Sequence, residues 1–144
     1  MLSAEPLGVR LAVASAAGGL GAGLIAFAGG KLRSGIDMVC ELLEFDRHLE
    51  GADLVFTGEG RADKSTVFDK APVGVARHAK AHGVPSILLA GSLGEGHEEL
   101  YDHDIASILC ISDGVMTFQQ ALGRTGEMLE GTAERAVRIF LLDP

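Results

Sequence analysis

Three short, predominantly apolar runs punctuate the chain, at residues 53–56, 85–90 and 107–111, and each is followed by a polar loop that contains glycine. Runs of four to six apolar residues without polar alternation predict strands buried on both faces. Between them the apolar positions recur at helical spacing, over residues 36–43 and over residues 73–81, with Pro72 in the first turn of the second helix and Gly83 as its stop. A helix of small residues is predicted over 16–28, ended by Gly29-Gly30, and a short one near 97–101. The last element opens on Thr117 with Gln120 three residues on, the signature of a capping box, and Gly123, Gly126 and Gly131 make it irregular.

Strands alternating with helices predict an α/β fold, a Rossmann-like parallel sheet with flanking helices. Three strands are fewer than a complete doubly wound sheet needs. The chain is therefore expected to borrow strands or to be part of something larger, with its incomplete sheet edge open to association. In open α/β sheets ligands bind at the carboxyl ends of the strands. The loops there are residues 58–71, 91–96 and 112–114, which makes them the place to look for chemistry.

Charge narrows the choice of ligand. The chain has 144 residues and a net charge of −8, without a basic stripe, so neither nucleic acid nor an anionic membrane surface is expected as a partner. Cys40 and Cys110 lie far apart with no CxxC pattern, and read as buried free thiols of a cytoplasmic protein rather than zinc ligands. Residues 11–30 carry no charge, yet six of the twenty are glycine and half of the others alanine. Such a segment fits a closely packed soluble helix better than a span of roughly 20 predominantly apolar residues.

The loop Thr57-Gly58-Glu59-Gly60-Arg61-Ala62-Asp63-Lys64-Ser65-Thr66 puts two glycines, two carboxylates and two cations directly after the first strand. Gly58 and Gly60 can turn backbone N–H groups toward an anion. Arg61 offers a planar fork, and Lys70 stands at a helix start, where anions are favoured. Glu59 and Asp63 can accept a hydroxyl proton or hold Mg²⁺. These are ingredients of phosphoryl transfer, although the loop is neither a Walker loop nor a GxGxxG fingerprint. A solvated turn in which Arg61 pairs with Asp63 or Glu59 accounts for the same residues equally well. His78 and His82, four apart on a helix, read as surface residues with no carboxylate to complete a metal motif, and His97 and His103 as surface too. Asp113 either orients a substrate or begins the turn into the last helix.

With these residues in view, the chain resembles the C-terminal portion of the bacterial glycerate kinase family of type I. Residues 52–63 and 70–76 carry most of the likeness, supported by residues 16–22, 90–92 and 111–116. The resemblance implies a two-domain glycerate kinase fold in which residues 1–50 end the second, inserted domain and residues 51–144 form the C-terminal part of the Rossmann-like domain. It implies ATP-dependent phosphorylation of D-glycerate with Mg²⁺, the 2-phospho product being favoured. Glu59, Arg61, Asp63 and Lys70 are then the catalytic set, Glu59 and Asp63 the metal ligands, and Gly58, Gly60, Gly91 and Ser92 the cofactor-binding residues. The family usually has glycine at position 69, glutamine at 65 and glycine at 15, where this chain has Asp69, Ser65 and Ser15. Asp69 beside Lys70 would partly neutralise it. The family's Asp-Ser-Phe-Lys-Gly-like and Asp-Gly-Gly-Glu-Gly-Thr-like elements do not occur here, so turnover by the isolated chain is not expected. The alternative is a noncatalytic remnant that binds a small anion or a partner chain. A Rossmann-like nucleotide-binding module of another enzyme is disfavoured by the lack of GxGxxG.

Overall fold

The computed structural model describes residues 19–68 and 70–142. The expectations for Ser15, Asp69 and the first part of the small-residue segment lie outside those residues. Two compact units are present, residues 1–34 and 35–144. In the first, α1 (Leu20–Ala28) ends at Gly29 in the left-handed conformation. Among the described residues no helix is long and apolar enough to cross a membrane.

The second unit holds a three-stranded parallel sheet in the order β1 (Val55–Glu59), β2 (Ser86–Ala90), β3 (Ser107–Cys110). β2 and β3 fall on their apolar runs, whereas β1 starts two residues into its run and continues to Glu59, and Glu59, Ala90 and Cys110 share one row of the register. The α/β reading of the sequence is thus realised. β2 is central, and Leu88, Leu89 and Ala90 are all buried because both faces are covered. On one face Leu88, Ala90 and Ile108 pack with Val73 and Ala76 of α4 (Ala71–Ala81), joined by Leu100 and Ile105. On the other, Leu89 and Ile111 pack against Met128 and Ala133 of α6 (Thr125–Phe140).

Several boundaries differ from the sequence expectation. The helix expected over 36–43 is α2 (Gly35–Leu42), and Glu44 in the left-handed region separates it from a further helix, α3 (Phe45–Leu49). Leu49 of α3 then buries against Ala79 and Val84. The segment near 97–101 is a 3₁₀ helix, His97–His103. The last element breaks at Arg124 into α5 (Phe118–Gly123) and α6, whereas Gly126 and Gly131 lie inside α6. The Thr125 hydroxyl explains the break, since it donates to the Ala121 and Leu122 carbonyls at 2.9 and 3.1 Å and satisfies the end of α5. The capping box at Thr117 and Gln120 forms as expected.

His78 and His82 are not plain surface residues. His78 Nδ1 lies 2.7 Å from Asp46 Oδ1 and its Nε2 3.4 Å from Asp37 Oδ1, while His82 Nε2 lies 3.6 Å from Asp46 Oδ1. Carboxylates from α2 and α3 thus clamp α4, with Arg77 pairing Asp37 beside them. Sequence separation of more than thirty residues hid these partners. His97 is likewise partly buried, its Nδ1 2.8 Å from the Gly94 carbonyl oxygen. Of the two thiols Cys40 is buried, and burial first, then Asp37 and Asp46, pushes its pKa up; Cys110 is only half-buried.

Close approach of α2 to α4 depends on Gly74, where an added Cβ would lie 2.3–3.0 Å from Ile36 side-chain atoms. Helix propensity alone favours Gly74→Ala by about 0.5–1 kcal/mol, but overpacking costs about 1–3 kcal/mol. Gly74→Ala is expected to lower the thermal midpoint, and adding Ile36→Val to recover part of the loss. A midpoint raised by Gly74→Ala would show that this contact is loose.

Candidate active site at the carboxyl end of the sheet

Pairing between the chain segments after β1 and β2 continues past the end of the sheet. The Gly91 N–H donates to the Glu59 carbonyl (3.1 Å), Ala62 N–H to Ser92 (3.0 Å), Gly94 N–H to Ala62 (2.7 Å) and Lys64 N–H to Glu95 (3.1 Å), with a parallel bridge between Ala62 and Leu93. Two of the loops foreseen from the sequence are thereby one ribbon. The first begins later than expected, because Gly58 and Glu59 belong to β1. Gly58 and Gly60 do not take the left-handed conformation that a backbone nest uses; among the described glycines Gly19, Gly29, Gly51, Gly83 and Gly96 do. What glycine supplies here is proximity. A Cβ on Gly91 would stand 2.7 Å from the Gly60 carbonyl oxygen.

Side chains on this ribbon form one connected cluster. Asp63 caps the 3₁₀ turn Lys64–Val67, its Oδ1 accepting from the Ser65 N–H at 2.8 Å and the Ser65 hydroxyl at 2.6 Å. Thr66 closes the capping box by accepting the Asp63 N–H at 3.2 Å. Lys70 Nζ donates to Ser65 Oγ at 3.0 Å and lies 3.8 Å from Glu59 Oε1. Arg61 Nε lies 3.5 Å from Asp63 Oδ2. Glu59 reaches Lys70 because residues 55, 57 and 59 of β1 share the face that carries α4, whose N-cap is Lys70. The structure therefore brings Glu59, Arg61, Asp63 and Lys70 together at one strand end, with Gly58, Gly60, Gly91 and Ser92 forming the backbone beneath.

The electrostatics follow from these contacts. The Ser65 hydroxyl first, then its backbone N–H, hold the Asp63 carboxyl below the usual carboxylate range, with Lys70 and Arg61 adding to the effect. Both carboxylates are mostly shielded, whereas the Arg61 fork is two-thirds exposed. Two carboxylates, one at the end of β1 and one in the loop after it, are the donor type that suits Mg²⁺ when phosphate oxygens and waters complete its octahedron. No set of three His, Cys, Asp or Glu stands ready as a metal site among the described residues.

Two residues of this cluster were passed over in the sequence. Ser65 links Lys70 to Asp63; the Asp63…Thr66 capping pattern was its signal. Gly94 is the floor beneath Arg61, since a Cβ there would meet Arg61 Nε and the Asp63 Cβ, both at 2.8 Å. A second charged cluster lies after β3, where Arg124 Nη2 reaches Asp113 Oδ2 and Glu127 Oε1, both at 2.8 Å. Asp113 thus does more than start a turn. Its tie to Arg124, eleven residues on, had no local signal.

Comparison with known proteins gives the chain its relatives. The model of the glycerate kinase family matches residues 4–141. The chain is 44% identical to the glycerate kinase of Halalkalibacterium halodurans over 132 residues, covering 90% of this chain and 35% of that protein. It is 40% identical to the glycerate 2-kinase of Escherichia coli over 108 residues, covering 75% of this chain and 28% of that one. A Salmonella typhimurium LT2 crystal structure assigned as glycerate kinase 2 superposes with a TM-score of 0.64 at 38% identity, covering 88% of this chain and 32% of that chain. The chain spans about a third of the length of the curated relatives it matches.

The Asp63 contacts give a pH signature. Because its folded pKa is depressed, the stability it lends is complete above the ordinary carboxylate value and fades as pH falls through the lower folded value. Carboxyl-carbon NMR is expected to find Asp63 titrating below the ordinary range. Ser65→Ala should move it back up and Ser65→Thr should restore it. An unchanged Asp63 titration in Ser65→Ala would show that the hydrogen bond from the Ser65 hydroxyl does not hold the carboxyl down.

Proposed function

The chain belongs to the glycerate kinase family, and on that premise we propose that it serves ATP-dependent phosphorylation of D-glycerate through the loop between β1 and α4. The observation that carries this reading is the joining of two cations and two carboxylates in one cluster at a strand's carboxyl end. A glycerate hydroxyl oxygen forms the new bond to the γ-phosphorus while the bond to the β,γ-bridging oxygen breaks, and ADP leaves with that electron pair. Lys70 and the exposed fork of Arg61 hold phosphoryl oxygens or the substrate carboxylate. Glu59 takes the hydroxyl proton, since among the described residues its side chain is held only by the long ion pair with Lys70. Asp63 is occupied by Ser65 and held ionised, a poorer base, and acts by fixing Arg61 and Lys70. Mg²⁺, held by Asp63 together with substrate phosphates when bound, would neutralise charge on the phosphate oxygens.

The name of the Escherichia coli relative, a glycerate 2-kinase, supports the 2-phospho product. Activity is a property of the whole family fold, of which this chain spans about a third. The two-domain arrangement is retained in the proposal, and α2 and α3 pack with α4 in the same compact unit as the sheet. A cytoplasmic site of action is part of the same reading.

The test is a chimera in which this chain replaces the matching third of the Halalkalibacterium halodurans enzyme, assayed for ADP release with D-glycerate and MgATP. The chimera is expected to turn over, with ³¹P NMR showing 2-phosphoglycerate. Arg61→Ala and Lys70→Ala should each lower kcat/KM by about 10²–10³-fold, the usual cost of one transition-state donor. Full activity in both variants would remove this loop from the mechanism.

A further inference from the structure

The cavity after β3 is chemically unlike the loop after β1. It has a volume of about 420 Å³ and is lined by Asp113, Gly114, Val115, Met116, Gln120 and Arg124. That volume lies within the range of small-molecule sites. Arg124 is consumed by its neighbours: Nε and Nη2 bind Glu127 at 3.1 and 2.8 Å, and Nη1 and Nη2 bind Asp113 at 3.3 and 2.8 Å. One guanidinium between two carboxylates leaves the group with a net charge of −1. Such a site repels phosphate and the glycerate carboxylate, and favours a neutral ligand rich in hydroxyls.

We propose that this cavity takes the nucleoside half of ATP, with Asp113 accepting from the ribose hydroxyls and the base lying against Val115 and Met116. The inference rests on the kinase reading above and extends it to a second site. Each Asp113 oxygen accepts one N–H from Arg124, which leaves each a further lone pair for a hydroxyl. Gln120 Oε1 is taken by the Thr117 N–H and hydroxyl at 2.8 and 2.9 Å, so its –NH₂, with no partner among the described residues, can donate to a ring nitrogen. The Val115 side chain is fully exposed, and beside it Met116 offers the adaptable thioether contact that suits a flat ring. The Ser112 hydroxyl donates to the Gly114 carbonyl at 3.0 Å and fixes the turn. Position agrees with chemistry. Glu59 and Cys110 end β1 and β3 in one row of the register, two strand spacings or about 10 Å apart. A triphosphate leaving this cavity along the strand ends would run toward Lys70 and Arg61.

The experiment titrates the whole chain, ¹³C-methyl-labelled at methionine, with adenosine, ATP and inorganic tripolyphosphate, the Met116 signal being assigned with Met116→Leu. Adenosine and ATP are expected to shift the Met116 methyl and leave Met128 unmoved. Tripolyphosphate, followed by calorimetry, should bind without moving Met116 and lose affinity at least about tenfold in Lys70→Ala. Asp113→Ala should weaken adenosine about tenfold and leave tripolyphosphate unaffected. Val115→Asp, on a side chain too exposed to matter for folding, should do the same. A Met116 methyl that ignores adenosine at millimolar concentration while tripolyphosphate binds in a Lys70-dependent way would overturn this inference and leave the kinase reading standing. Adenosine binding at Met116 with no Lys70-dependent tripolyphosphate binding would support the cavity and overturn the phosphate placement.

Discussion

Glu59, Arg61 and Asp63 stand where they do because the backbone beyond β1 remains hydrogen-bonded to the backbone beyond β2. A loop of this length closed only at its ends would leave its backbone groups to water and its charged side chains free to scatter. Here four backbone hydrogen bonds carry the parallel pairing outward, and the next turn is locked by Asp63 on Ser65 and Thr66. The pairing in turn requires bare backbone opposite Gly60 and beneath Arg61, which Gly91 and Gly94 supply. Charged side chains on so fixed a frame spend little entropy in meeting a ligand.

The cluster is balanced in charge, two cations against two carboxylates, in a chain whose net charge is −8. That balance lets four charges sit together at a strand end. The Lys70–Ser65–Asp63 hydrogen bonds hold the ammonium in place, while the longer Lys70–Glu59 contact of 3.8 Å is the weaker restraint. Exposed ion pairs of this length contribute little to stability. Their effect is geometric: they hold the Lys70 ammonium in one position beside Glu59 and Asp63.

The sheet gives the two sites their opposite character. β1 feeds a helix that begins at a cation, Lys70, whereas β3 feeds a turn that begins at a carboxylate, Asp113. On the second face α6 packs over Leu89 and Ile111, but Phe56 of β1 on that face keeps 37% of its surface exposed. The described part of the sheet is thus better covered at β2 than at β1.

Sequence alone determined the elements whose signals are local. β2 and β3 fall on their apolar runs and β1 begins within its own, α4 follows Pro72, and α5 starts at Thr117, because burial pattern, fixed proline φ and cap chemistry act within a few residues. Placing the chemistry at the carboxyl ends of the strands also needed only the order of elements. Tertiary structure decided the rest. It extended β1 through Gly58 and Glu59, since strand length depends on a partner's pairing. It supplied Asp37 and Asp46 to His78, Asp113 to Arg124 and Gly94 to Arg61, contacts between segments that no local periodicity relates. Ion pairs and close backbone approaches are set by which surfaces meet when the core closes, and burial patterns do not specify that meeting residue by residue.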